Sequence, residues 1–359
     1  MIQFTVRRIL LAIPVLFAIL LVTFLLARAI PGDPCKSILG EKASAEACER
    51  FTTRNGLDKP VPVQFGIYMA NVAKGDLGDS LRFGRPVSIM LIERLPTTIE
   101  LAMAAITIAL IVGIPAGIIA AVKRNSPTDV GVMIGANIGV SLPVFFLGLL
   151  LIYFFAVILK GTPFALPPSG RISAGLSATP FYEVYNMPVV EGSFKYHLYE
   201  FLANFYIFNS IITFNWEVLK DVSRHLILPA IALSTIPLAI IARMTRSSML
   251  EVLGLDYIRA ARAKGVSNNS VILKHGFRNA LLPVITIAGL QLGAILGGAV
   301  LTETIFGLAG VGLSMYEAIT SRDFPIIQGF VVIIAFIYVF MNLVVDLSYG
   351  FLDPRIRLE

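Results

Sequence analysis

No G-x-x-x-x-G-K-[ST] phosphate loop occurs anywhere in the 359 residues, so the chain is not itself a P-loop ATPase. Any ATP that powers it belongs to another polypeptide. Histidine is reduced to three residues, His197, His225 and His275, cysteine to two and tryptophan to one. They form no HExxH, CxxC or Ser/His/Asp arrangement, so nothing points to catalysis or to a bound metal, and the scattered histidines read as structural or interfacial. Charge is scarce as well: 14% of residues are Asp, Glu, Lys or Arg, where soluble domains carry roughly 25%. With 56% hydrophobic residues and a mean hydropathy of +0.80, the composition excludes an ordinary soluble domain. It predicts an all-α integral membrane protein.

Six apolar runs approach or exceed the roughly 18 to 20 residues that cross a bilayer, at about 9–29, 98–122, 130–159, 226–242, 280–301 and 326–350. The third is too long for a hydrocarbon core of about 30 Å, so it is expected to tilt, protrude, or kink near Pro143. A seventh stretch, 201–214, is short and aromatic and suits packing outside the bilayer. The first helix follows Arg7 and Arg8 and reads as a retained signal-anchor, since its apolar run is too long for a cleavable signal.

Charge placement supports six spans with both termini cytoplasmic. Thirteen cations then fall on the inner side: Arg7, Arg8, Lys123, Arg124, Arg243, Arg246, Arg259, Arg262, Lys264, Lys274, Arg278, Arg355 and Arg357. Only Asp129, Glu251, Asp256, Asp353 and Glu359 oppose them, as the positive-inside rule expects. Basic charge therefore needs no nucleic acid to explain it. The outer side receives two longer segments, about 31–96 and 160–224, each long enough to have structure of its own. The sequence gives no account of the fold of 170–221. Cys35 and Cys48 lie in the first segment, where a disulfide would close a short loop worth on the order of 3 kcal/mol. Two unpaired thiols are the alternative.

The inner segment at about 243–279 is the most informative. Asp256 is a suitable N-cap, 257–264 are helix formers with small Ala260, Ala261 and Ala263, and Gly265 is a stop signal. Arg262 and Lys264 complement the helix dipole, and Ser267 can cap a second helix running toward Pro283. The segment reads as a docking surface for a soluble partner or, more plainly, as a basic loop. Gly289, Gly293 and Gly297 recur every fourth residue, which favours close helix packing and is compatible with lining a narrow passage. Glu100 and Glu303 are either solvated end residues or acids facing a water-filled cavity. Asp346 is expected to pair with a cation such as Arg243 or Arg278, while Arg355 and Arg357 anchor the tail.

RAARAKG at 259–265 followed by KHGFRNALLP at 274–283 resembles the EAA loop of permease subunits of binding-protein-dependent ABC importers, in the dipeptide and oligopeptide branch. PGDP after the first helix, GLDKPVPVQ at 56–64, KGDLGDS at 74–80, LPTTIEL at 95–101, IPLAIIARMTRSSMLEVLG at 236–254, LTETIFG at 301–307 and VDLSYGFLDPRIR at 345–357 extend the resemblance over nearly the whole chain. Two departures from the sugar-importer pattern, Arg259 in place of the consensus acid and a longer interval from Gly265 to Pro283, are usual in the peptide branch.

The resemblance implies a heterodimer with a second, homologous permease in the bacterial inner membrane. It also implies two cytoplasmic subunits that hydrolyse ATP with Mg, and a periplasmic substrate-binding protein. The chain itself then binds no cofactor, residues 259–265 couple it to the ATPase, and the cargo is a dipeptide or short oligopeptide. On the same scaffold, nickel, haem, glutathione or antimicrobial peptides are alternative cargoes. An ion-coupled secondary transporter would require more intramembrane acids or a repeat than are visible here, and a structural assembly factor would leave the elaborate inner segment unexplained.

Overall fold

A bilayer offers backbone polar groups no partner but each other, so apolar runs coil. The computed structural model describes residues 2–29, 34–40, 42–54 and 56–352, and in it every long run is a helix. The C-terminal cations Arg355 and Arg357 and most of the PGDP motif lie outside the described residues.

Helix α1 spans Ile2–Ala29. Three short helices follow, α2 (Pro34–Leu39), α3 (Ala45–Arg54) and α4 (Val61–Ala73). Then come α5 (Val87–Val122), α6 (Pro127–Ser141), and α7 (Val144–Ile152), which continues as a π turn at Tyr153–Ile158. Helices α8 (Phe181–Val184), α9 (Phe194–Ala203) and α10 (Tyr206–Ile212) lead into α11 (Trp216–Leu253). The remainder is α12 (Asp256–Ala263), α13 (Asn268–Ser270), a π segment at Val271–Phe277, α14 (Arg278–Gly298), α15 (Val300–Phe306), α16 (Val311–Ser321) and α17 (Phe324–Leu352). Among the described residues five helices are long and apolar enough to cross a membrane, and six if α6 and the helix after it count as one span bent by 98°. The bend falls at Leu142 and Pro143, because proline has no N–H to continue the α6 ladder.

Two helices run well past their apolar stretches. Helix α5 begins at Val87, eleven residues before the expected 98, and α11 covers 38 residues where 226–242 was expected. Hydropathy marks where a helix is greasy, whereas the backbone ladder continues through amphipathic turns carrying Glu93 and Arg94, or Lys220 and Arg224. At about 1.5 Å per residue, α11 is roughly 57 Å long and must project beyond the membrane core. The aromatic stretch 201–214 is no span; it breaks at Asn204 and Phe205 between α9 and α10.

The main core lies where α5, α11 and α14 pack, around Leu101, Ala105, Ile106, Leu228, Ile241 and Val284. Helix α5 approaches α11 through Gly113 and Gly117: a Cβ on Gly117 would sit 2.6 Å from the Ala242 carbonyl oxygen. Helices α1 and α17 pair along the flank, joined at one end by Arg8 to Asp346 at 3.1 Å. That pairing corrects the expected partners Arg243 and Arg278; the arginine comes from the far end of the chain because α1 and α17 are neighbours.

The first long inter-helix segment is stapled by a Cys35–Cys48 disulfide joining α2 to α3, Cα–Cα 5.4 Å. Buried Asp323 ties this region to the start of α17, accepting from Ser80 Oγ at 2.6 Å and from the Leu81 and Arg82 backbone N–H groups. The second segment has its own aromatic centre of Phe181, Tyr182, Tyr196 and Tyr199. Asn209 fixes it locally, accepting from Phe181 N–H and donating to the Thr179 carbonyl, both at 2.8 Å. Ser173 fastens it to α11 through two bonds donated to the Asp221 carboxylate. His225, buried within α11, has Nδ1 2.9 Å from the Asp221 carbonyl oxygen, a structural placement.

Candidate coupling site

Residues 254–277 interrupt the path from α11 to α14. Gly254 ends α11, and α12 begins immediately with Leu255, not Asp256, in the capping position. Asp256 lies one residue inside, too late to cap, and instead pairs with Arg259 across the first turn, where its charge still complements the helix dipole. Gly265 follows with φ of +76°, the left-handed geometry that closes a helix and that only glycine adopts without strain. Ser267 stands at the capping position of α13, but its hydroxyl bonds the Ser270 hydroxyl at 3.1 Å rather than a backbone N–H.

A single side chain anchors the face of α12 that points inward. Ile258 is fully buried, an arrangement worth about 1.5–3 kcal/mol. Ala261 is half-buried, whereas Arg259, Ala260, Arg262, Ala263, Lys264 and Gly265 are all exposed. A polar clasp adds to the anchor: Asn279 Nδ2 donates to the Tyr257 hydroxyl at 2.9 Å and to the His275 carbonyl at 2.8 Å, holding α12 against the start of α14. The intervening π segment brings Gly276 against Met249 and Leu253 of α11. Such wide turns recur at functional positions.

A second tie at the same end was not anticipated. Arg246 of α11 donates Nε to Asp129 Oδ1 at 2.6 Å and Nη2 to Oδ2 at 2.8 Å. Asp129 also accepts the Asn125 N–H at 3.0 Å, and Ser126 caps α6 by accepting the Asp129 N–H. The fork-to-fork geometry fixes α6 to α11 in angle as well as distance. The sequence shows both residues on the inner side but not their meeting.

Glu100 and Glu303 are neither solvated nor facing a wide cavity. Glu100 accepts from Arg171 Nη2 at 2.7 Å and from the Ile207 N–H at 2.8 Å, tying α5 to the α8–α10 region. Arg171 in turn stacks on Tyr206, 3.6 Å from the ring centroid. Glu303 is completely buried and accepts from Thr98 Oγ1 at 2.6 Å and the Leu313 N–H at 3.0 Å. Gly310 and Gly312 pack directly on its carboxylate, where a Cβ at Gly310 would lie 2.4 Å from Oε2. Burial pushes the Glu303 carboxyl up to about 7, and the donated bonds from Thr98, Leu313 and Gly312 limit the rise. Both acids are internal ties in this conformation.

The glycine row is divided. A Cβ at Gly289 would meet Val345 and one at Gly293 would meet Tyr338, so these two admit α17 closely, whereas Gly297 faces open space. Gly113 and Gly117, also four residues apart, admit the backbone of α11 against α5.

A bundle with five or six helices long and apolar enough to cross a membrane among the described residues, carrying a short basic helix between two long ones, defines a polytopic membrane protein. Family comparison agrees along the chain. Residues 113–358 match the binding-protein-dependent transport system inner membrane component family, residues 1–102 match the N-terminal region of the same components, and the chain belongs to this family. It is 44% identical over 99% of its length to the dipeptide transport system permease protein DppB of Alkalihalophilus pseudofirmus, covering all of that protein. It is 43% identical to the di/tripeptide transport system permease protein DppB of Pseudomonas aeruginosa, over 99% of both chains. Against the probable D,D-dipeptide transport system permease protein DdpB of Escherichia coli the identity is 41%, over 95% of this chain and 94% of that one.

Proposed function

We propose that this chain is one permease subunit of an ATP-driven importer that moves dipeptides or short oligopeptides across the cytoplasmic membrane. A periplasmic binding protein delivers the cargo, a second homologous permease completes the pathway, and two cytoplasmic subunits hydrolyse ATP with Mg. Both termini and α12 face the cytoplasm; the disulfide-bearing segment faces the periplasm, where oxidation is sustained.

The observation that carries the coupling role is the attachment of α12. Its exposed basic residues, Arg262 and Lys264 with Arg259 in its surface pair with Asp256, are accessible to a partner, while Ile258 and the Asn279 clasp transmit force inward. ATP binding shifts the inward and outward equilibrium only by the difference in affinity of the ATPase pair for the two states. A helix docked in the ATPase and bonded to α11 and α14 converts that difference into bundle motion. Relatives named for dipeptides, di/tripeptides and D,D-dipeptides favour peptide cargo over nickel or haem. Commitment of Glu100 and Glu303 to internal bonds disfavours an ion-coupled carrier.

Two measurements test the assembly and orientation. Purification of the tagged full chain from its native membrane should bring the ATPase subunits with it, and a chain that purifies with no ATPase contradicts the assembly. A membrane-impermeant thiol reagent should label Arg259→Cys only after the inner face is opened; labelling of intact cells from outside contradicts the orientation.

A further inference from the structure

A cavity of about 940 Å³ lies between the ends of α1 and α17, α3, α4 and the loop before α5. Its volume falls in the range of small-molecule sites. Arg28, in the last turn of α1, enters it in a fixed pose: its guanidinium lies 3.6 Å over the Phe24 ring, and Nε donates to Gln64 Oε1 at 2.8 Å. Gln64 is itself fixed, because its amide nitrogen donates to the Lys59 and Leu57 carbonyls. Phe24 stacks on Tyr68 at 5.7 Å between centroids, so the aromatic floor is shared.

What this preparation leaves over is a set of donors. Arg28 Nη1, the Tyr68 hydroxyl and Gln328 Nε2 are each buried with no hydrogen-bond partner among the described residues, and all three residues line this one cavity. They come from α1, α4 and α17, so three separate elements bring unpaired donors to the wall of one cavity. Two of the three atoms can only donate, and the third is a phenol that donates readily. Leaving such groups buried and unpaired is unfavourable, most of all for the charged guanidinium. Around the wall Arg50, Arg54 and Lys59 add positive charge; Asp76 and Asp79 oppose them, and Asp76 already accepts the Gly78 N–H at 2.8 Å.

We propose that this cavity is an oxyanion site, in which Arg28, with Tyr68 and Gln328 in support, turns its closed-off donor outward onto a carboxylate or phosphate group. The planar guanidinium, held flat on Phe24, presents a fork suited to two-oxygen groups. Aromatic walls from Phe51 and Phe324 suit a ligand with an apolar body behind its anionic head. The ligand class is thus a small amphipathic carboxylate or the phosphate of a lipid headgroup. The assignment stands on this cavity alone and does not depend on the identity of the transported cargo.

The test uses the full chain in nanodiscs of zwitterionic lipid at constant ionic strength, with thermal unfolding as the readout. Three soluble probes are added in turn: N-acetyl-L-alanine, its neutral amide, and inorganic phosphate. A fourth arm replaces part of the lipid with phosphatidylglycerol. Stabilisation by the carboxylate or by phosphate, but not by the amide, assigns a soluble ligand; stabilisation by phosphatidylglycerol alone assigns a lipid phosphate. Either result supports the site. Arg28→Gln should weaken the apparent affinity on the order of tenfold or more, and Tyr68→Phe about threefold, as lost charged and neutral hydrogen bonds predict. If Arg28→Gln fails to fold, Tyr68→Phe and Gln328→Leu carry the comparison. Absence of stabilisation in every arm, or equal stabilisation of wild type and all folded variants, overturns the proposal.

Discussion

Arg246 and Asp129 meet as a two-point ion pair, Nε to Oδ1 at 2.6 Å and Nη2 to Oδ2 at 2.8 Å, joining α11 to the start of the bent α6 span. Helix α11 also crosses α5 and α14 and leads directly into α12. The pair therefore links the helix that leads into α12 to the span that bends at Pro143.

Breaking this tie should loosen the α6–α11 geometry. Arg246→Ala and Asp129→Ala are each expected to lower uptake several-fold per assembled complex. The exchanged pair, Arg246→Asp with Asp129→Arg, should recover part of the loss, measured as a double-mutant cycle on transport. Independent, additive losses with no recovery in the exchanged pair would show that the bond has no role in transmission.

Ile258 fixes α12 to the bundle, and truncation to Ala removes a fully buried side chain, with an expected cost of about 2–4 kcal/mol locally. Hydrogen exchange should rise at 256–264 and stay unchanged in the α5–α11 core. Gly265→Ala should act on the same segment more mildly, by about 1 kcal/mol, through its left-handed backbone. Unaltered exchange in both variants would contradict the anchoring role.

Helix packing makes an opposite pair of forecasts for two glycines. Gly117→Ala puts a carbon 2.6 Å from a backbone oxygen and should destabilise the α5–α11 crossing by about 1–3 kcal/mol, seen as a lower Tm. Gly297→Ala enters open space in a helix and should be neutral or stabilising by up to about 1 kcal/mol. Reversal of that order would undermine the packing assignment.

Glu303 offers a pH test. Its folded carboxyl sits at about 7, above the ordinary 4.5, so the fold favours the protonated form. The associated stability is full below pH 4.5 and is lost as pH rises through 7. Glu303→Gln should remove this component, so the stability difference between variant and wild type should change across that window and level off above it. A difference independent of pH would mean that Glu303 does not titrate there. If Glu303 is only an internal tie, the assembled Gln variant also retains uptake at a neutral pH.

Much of the architecture was written in local patterns. Long apolar runs gave the spans, Pro143 gave the bend, and Gly265 gave the end of α12, because each depends on neighbours in sequence. The helix ends beyond the membrane were hidden, since polar turns such as those around Glu93 and Arg224 continue a helix without raising hydropathy. Partners of the buried charges were hidden for another reason. Asp346 with Arg8, Glu100 with Arg171 and Asp129 with Arg246 join residues far apart along the chain, and their meeting follows from helix packing that no local pattern encodes. Ile258 was legible as part of a helix but not as its anchor, because a short basic helix does not reveal which side faces the bundle.

The most direct test of the account is uptake of a labelled dipeptide into proteoliposomes containing this chain with its co-purifying partners and the binding protein. Wild type should accumulate the peptide only with ATP and the binding protein, and an assembled Ile258→Asp complex should lose uptake while retaining basal ATP hydrolysis. Uptake that persists in the assembled variant, or that proceeds in wild type without ATP, would contradict force transmission through α12.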